Sequence, residues 1–251
     1  MTDTKIEFDF PDLSGLEIPA DALQRAERLA VGYLKTEMVM REHGVQHTIV
    51  VFGGTRIREF GPTSKAEAPD YYQIAREFGA IVGRSGQGPD DCRLTLMTGG
   101  GPGIMEAANR GASDVGAKSI GLNIHLPHEQ VPNRFVSKEL SFNFQYFAIR
   151  KLHFLVRAKA LVVFPGGFGT MDELFETLNL VQCRRINPLP VVLVGWEFWQ
   201  RAVSMQFLVE SGLIDPEDSE RFWYAETAQE IWDGIVDWYA RAGAPLMCEG
   251  G

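Results

Sequence analysis

The chain has 251 residues, 45% of them hydrophobic and 23% charged, a composition that suits a packed globular core and excludes a disordered chain. Lys and Arg number 24 against 33 Asp and Glu, so the formal charge is −9. That balance argues against a non-specific grip on nucleic acid but leaves room for one small anion held by local donors. Three cysteines, Cys92, Cys183 and Cys248, lie far apart, so neither a disulfide framework nor a CxxC metal site is indicated and a reduced, cytoplasmic setting is expected. The opening MTDTKIEFDF has neither the basic nor the apolar region of a signal peptide, and no apolar run approaches the ~18 residues of a membrane span.

Residues 1–18 read as an acidic, irregular arm, and residues 19–251 as a single Rossmann-like domain. Apolar residues at helical spacing predict a first helix between Pro19 and Gly44. The β-branched run Thr48 to Phe52, closed by two glycines, predicts a buried strand. The alternation then repeats: helix 71–84, strand 93–97, helix 104–112, strand 119–124, helix 145–157, strand 160–164, helix 170–182, strand 190–195, helix 197–210 and helix 227–243. A longer connection spans residues 125–140. Short, continuously apolar strands alternating with helices predict an α/β fold. The expectation is a doubly wound, mostly parallel sheet of about six or seven strands with helices on both faces.

Such sheets bind ligands beyond the carboxyl ends of their strands. Three glycine-rich turns fall there: Gly53-Gly54-Thr55-Arg56, Gly99-Gly100-Gly101-Pro102-Gly103 and Gly166-Gly167-Phe168-Gly169-Thr170. Glycine lets a ligand approach the backbone, and a helix N-terminus behind it offers free N–H groups and partial positive charge, which suits phosphate. Each turn taken alone is equally a tight strand-to-helix connection; three in one sheet point to a convergent site. A Walker A loop needs a Gly-Lys pair that the chain lacks. The dinucleotide fingerprint G-x-G-x-x-G fails too, because its third glycine falls on Glu106 or Asp172. A mononucleotide or sugar phosphate remains.

The third turn leads into Asp172, Glu173 and Glu176, with Glu173 and Glu176 on one helix face. Thr170-x-x-Glu173 also has the form of a capping box, so Glu173 has a structural reading beside a chemical one. Arg150 and Lys151 sit in a mostly apolar helix, where they either snorkel to solvent or turn toward an anion. His125 and His128 lack a converging third ligand and read as loop histidines, so no metal or other cofactor is expected. Trp196, Phe198 and Trp199 suit either core packing or an interface.

The stretch Pro165 to Glu173 resembles the motif P-G-G-x-G-T-x-x-E, and Arg150-Lys151, Thr98 to Asn109 and Val51 to Arg56 complete, in order, a pattern similar to the Lonely Guy family of nucleoside 5′-monophosphate phosphoribohydrolases, over residues 47–211. Members of that family have often been labelled lysine decarboxylases. The resemblance implies a doubly wound fold, a homodimer or higher homo-oligomer, and hydrolysis of AMP or a cytokinin riboside 5′-monophosphate to free base and ribose 5-phosphate. It places Arg150 and Glu173 on the catalytic pair. It places Gly53, Gly54, Thr55, Gly100, Gly101, Gly103, Glu129, Lys151, Gly166, Gly167, Gly169, Thr170 and Glu176 on substrate-binding positions. Phe154 stands where the family often has Met, and Gly53-Gly54-Thr55 where it often has Cys-Gly-Ser, which bears on base preference. The alternative is a non-catalytic nucleotide or molybdenum-cofactor carrier, which would need the glycine turns without Arg150 and Glu173. A decarboxylase using pyridoxal phosphate would need a Schiff-base lysine, and Lys151 beside an arginine is the only lysine near the motifs.

Overall fold

A computed structural model describes residues 17–59, 69–88, 90–124 and 131–247. Glu129, His125, His128 and Cys248, and most of the N-terminal arm, lie outside these residues.

The strands are β1 (His47–Phe52), β2 (Leu94–Thr98), β3 (Ser119–Ile124), β4 (Ser141–Phe144), β5 (Ala158–Val163), β6 (Val191–Val194) and β7 (Trp223–Ala225). They form one seven-stranded sheet in the order β4-β3-β2-β1-β5-β6-β7, with every pairing parallel. The sequence expectation of a mostly parallel sheet thus resolves to an all-parallel one. The chain winds outward from β1 to β4, then returns to β5 on the other side of β1, so the topological switch point lies between β1 and β5.

Eight helices are described: α1 (Ala20–Glu42), α2 (Tyr71–Arg84), α3 (Ile104–Asp114), α4 (Phe147–Val156), α5 (Phe168–Gln182), α6 (Trp196–Ala202), α7 (Met205–Glu210) and α8 (Ala228–Arg241). Side chains alternate across the sheet. In β1, Ile49 and Val51 join the core under α2, α3 and α8, while Val50 and Phe52 join the core under α1, α4, α5 and α6. The spacing of Tyr72, Ala75, Phe78, Gly79 and Val82 turns one face of α2 inward, and Asp70 caps its start by accepting from the Gln73 N–H at 3.0 Å. The helices α2 and α3 cross closely because Gly79 and Gly111 each lie against backbone of the other helix, Ala108 and Arg76 respectively, where a Cβ would not fit.

Three local expectations change. The single helix over 197–210 divides at Val203–Ser204, because the Ser204 hydroxyl accepts from the Phe207 N–H and starts α7 afresh. The strands β4 and β7 are additional; each pairs on one side only, at an edge of the sheet. The helix α5 begins at Phe168 with Gly167 as its N-cap and no side-chain cap, so Thr170 and Glu173 do not form a capping box. Glu173 falls in the second turn instead. Among the described residues no helix is long and apolar enough to cross a membrane, and Cys92 and Cys183 are free thiols.

Candidate active site

The three glycine turns follow β1, β2 and β5, and two of them flank the switch point. A cleft of about 790 Å³ opens there, a size suited to a small organic ligand. Gly53, Gly54 and Thr55 form one wall, and Gly166, Gly167, Gly169 and Thr170 the other. The Gly54 N–H donates to the Pro165 carbonyl at 2.8 Å, which fixes the distance between them. The Thr170 and Met171 N–H groups donate to the Gly167 carbonyl at 3.0 Å each, which leaves the Phe168 and Gly169 N–H groups at the glycine wall with no acceptor within the helix and the positive end of a 15-residue helix behind them.

Arg150 and Glu173 line the same cleft. Glu173 is only 6% exposed. Burial pushes its carboxyl up to about 7, against the opposing pull of Lys151 and Arg150, and Glu176 and Asp172 add repulsion. A carboxyl held near neutrality in a cleft can exchange a proton at physiological pH. Arg150 turns inward rather than to solvent: its Nε donates to the Leu122 carbonyl at 2.7 Å, and its guanidinium stacks on the Phe154 ring at 5.0 Å. Burial pulls its pKa down while Glu173 pulls it up. An inward guanidinium with one bond to the protein keeps further N–H donors for an anion or a hydroxyl.

Other residues singled out in the sequence lie elsewhere. Lys151 bridges Asp172 and Glu176 at 2.9 Å each, beside the cleft rather than in its lining. Burial alone would lower its ammonium, but the bonds to Asp172 and Glu176 outweigh that and raise it. Glu173 and Glu176 therefore serve different surroundings. Gly100 and Gly101 stand behind Gly99, their carbonyls taken by Asn133, and Gly103 packs on the backbone of Gly54 and Thr55. This second turn supports the first, and only its Gly99 reaches the cleft.

The rest of the lining was not singled out as a site. Phe147, Phe168 and Phe198 form an apolar rim, with Met105 and Ile124 deeper in. Phe168 is 96% exposed and Phe147 51%. Of the three α6 aromatics, Trp199 is buried and donates to the Val194 carbonyl, Trp196 is exposed, and Phe198 faces the cleft. Arg56 lines the cleft from the first turn; its place directly after Thr55 was the available signal.

The glycine walls, the inward arginine and the buried acid define a Rossmann-like pocket suited to a phosphorylated ligand. A family model described as "Possible lysine decarboxylase" matches residues 105–235, and the chain belongs to that family, the Lonely Guy group that the motifs resemble. It is 26% identical over 186 residues to cytokinin riboside 5′-monophosphate phosphoribohydrolase LOG3 of Arabidopsis thaliana, covering 70% of this chain and 79% of that one. It is 27% identical over 217 residues to the probable phosphoribohydrolase LOG4 of Oryza sativa subsp. japonica, covering 83% and 84%. Among solved structures, the structural-genomics target TM1055 shares the fold, with a TM-score of 0.52 and 23% identity over 76% of this chain and 99% of that one.

Proposed function

We propose that this protein hydrolyses the N-glycosidic bond of a nucleoside 5′-monophosphate, AMP or an N6-modified cytokinin relative, to free base and ribose 5-phosphate. The observation that carries the reading is the placement of buried Glu173 and inward Arg150 in one cleft with the N-terminus of α5. The curated relatives, phosphoribohydrolases by name, support it.

In this reading the 5′-phosphate is held by the Gly166–Thr170 turn, with Gly53–Thr55 opposite and the Arg56 side chain at the rim. That grip supplies binding energy remote from the reacting bond and fixes the ribose over Glu173. As the C1′–N bond breaks, positive charge develops at C1′, and the Glu173 carboxylate stabilises it. Water adds its oxygen to C1′, gives a proton to Glu173, and the base departs with its bonding electron pair and takes up a proton. Arg150 holds a phosphate or sugar oxygen and the orientation of the acid. The phenylalanine rim takes the base.

The lysine chemistry in the family's description does not fit these residues. A Schiff-base lysine needs a free neutral amine, whereas the Lys151 ammonium is held by two carboxylates and raised.

Incubation with AMP and with N6-isopentenyl AMP, followed by chromatography, is expected to release free base. Glu173→Gln and Arg150→Ala are each expected to lower kcat by about a hundredfold or more while leaving the fold intact. Retention of intact nucleotide by the wild type, with no base released, would instead indicate a carrier.

A further inference from the structure

Behind the cleft lies a buried polar network that the proposed chemistry does not use. Asn109 on α3, Thr98 on β2 and Ser119 on β3 are all 0% exposed. The Thr98 hydroxyl donates to Asn109 Oδ1 at 2.7 Å and accepts from the Gly100 N–H at 2.9 Å. Asn109 Nδ2 donates to Ser119 Oγ at 2.9 Å. Asn133 closes the network. Its Nδ2 donates to both Asn109 Oδ1 and the Gly101 carbonyl at 3.0 Å, its N–H donates to the Gly100 carbonyl at 2.8 Å, and its Oδ1 accepts from the Phe135 N–H at 3.2 Å.

These bonds converge on the turn that carries Gly99. The Arg150 guanidinium lies directly on Gly99: a Cβ there would fall 2.5 Å from Arg150 Nη2 and 2.9 Å from Met105 Sδ. The guanidinium is thus held by the Leu122 carbonyl at Nε and by the Phe154 ring, with its Nη2 filling the space beside the Gly99 Cα. A buried network with its bonds satisfied rigidifies what it holds.

We propose that Asn133 is a positioning residue: with Asn109 and Thr98 it locks the Gly99–Gly101 turn and so holds the Arg150 guanidinium in its catalytic pose. The inference rests on the role given to Arg150 in the proposed hydrolysis. It extends that machinery to a side chain outside the cleft lining, acting through two backbone carbonyls.

The test compares Asn133→Ala and Thr98→Val, alone and in an Arg150→Met background. Thr98→Val reaches the turn from the opposite side and serves should Asn133→Ala fail to fold. Each variant is expected to lower kcat by about tenfold or more with KM changed by less than about threefold. In the Arg150→Met background neither is expected to lower it further, because their effect passes through that arginine. A wild type that releases no base overturns the hydrolase reading, and the positioning role is then read from titration of Glu173 by NMR in protein carrying [13C]glutamate. Arg150, Lys151, Glu176 and Asp172 are the charges acting on that carboxyl. Loss of the arginine's pose raises the Glu173 pKa in both variants, and neither variant adds a rise once Arg150 is Met. An unchanged kcat and titration in the single variants, or equal effects with and without Arg150, overturns the proposal.

Discussion

Glu173 is a carboxyl whose charged form is opposed by its surroundings, and that has a consequence for stability as well as chemistry. Its folded pKa, about 7, lies above the ordinary value of 4.5 mainly because of burial. Below pH ~4.5 the group is protonated whether folded or unfolded and costs nothing. Between about 4.5 and 7 the unfolded chain ionises while the folded carboxyl stays protonated, so stability falls across that window, and it levels off once the folded group carries its buried charge above about 7. Glu173→Gln removes that cost. The variant is expected to be more stable than wild type at pH 8, by at most about 3.4 kcal/mol and so with a higher unfolding temperature, and to match it at pH 4. Thermal unfolding at the two pH values checks this; an equal advantage at both would mean that burial of the charge is not the cause. The acid was legible in the sequence because it stands at a fixed distance from a glycine turn. Its burial was not legible, since residues from several elements enclose it.

Among the elements, α1 depends on an electrostatic clamp. Glu37, 8% exposed, accepts from Arg157 Nη1 and Nη2 at 2.8 Å each and from Arg41 Nε at 2.6 Å. The Arg157 bond is the chief reason its carboxyl is held down to about 2, with Arg41 assisting against burial. Arg157 also donates to the Val45 carbonyl, so the clamp joins α1, the start of β1 and the end of α4. Removing one partner of a buried pair leaves the other uncompensated. Glu37→Gln is therefore expected to cost about 3 kcal/mol at neutral pH. A depressed pKa gives stability that is present above ~4.5 and lost as pH falls toward 2, so the difference between the variant and wild type shrinks over that window. Chemical denaturation at neutral pH and at pH 3 measures it. Helical periodicity made α1 legible, and α2 was read with its observed bounds, 71–84. The edge strands β4 and β7 were not, because four and three residues are too few to show a pattern. The break between α6 and α7 was hidden by an apolar spacing that runs through Ser204.

At the scale of the whole molecule, the doubly wound sheet brings together residues far apart in sequence. The glycine turns and the Arg150–Glu173 pair could be read because local motifs carry them. Phe147, Phe198, Met105 and Ile124 come from α4, α6, α3 and β3, and only the packing of those elements turns them toward one cleft. The outer face of α4 presents Leu152 and Val156, 51% and 56% exposed, in a groove lined by Leu155, Leu180 and Ile186 and bordered by Arg184 and Arg185. The family resemblance implies a homodimer or higher homo-oligomer without naming the face, and we propose this one because Leu152 and Val156 leave apolar surface exposed there. Light scattering is expected to give a dimer or larger assembly for wild type and a smaller species for Leu152→Asp/Val156→Asp; a monomeric wild type would contradict the proposal.

The central claim is that one cleft grips a 5′-phosphate at its glycine wall and sets Glu173 against the anomeric carbon. A crystal structure of Glu173→Gln with bound AMP tests it most directly. The phosphate is expected at the Gly166–Gly169 amides, with the residue 173 side chain about 3–3.5 Å from C1′. A phosphate bound elsewhere, or a side chain at 173 turned away from the ribose, would contradict the account.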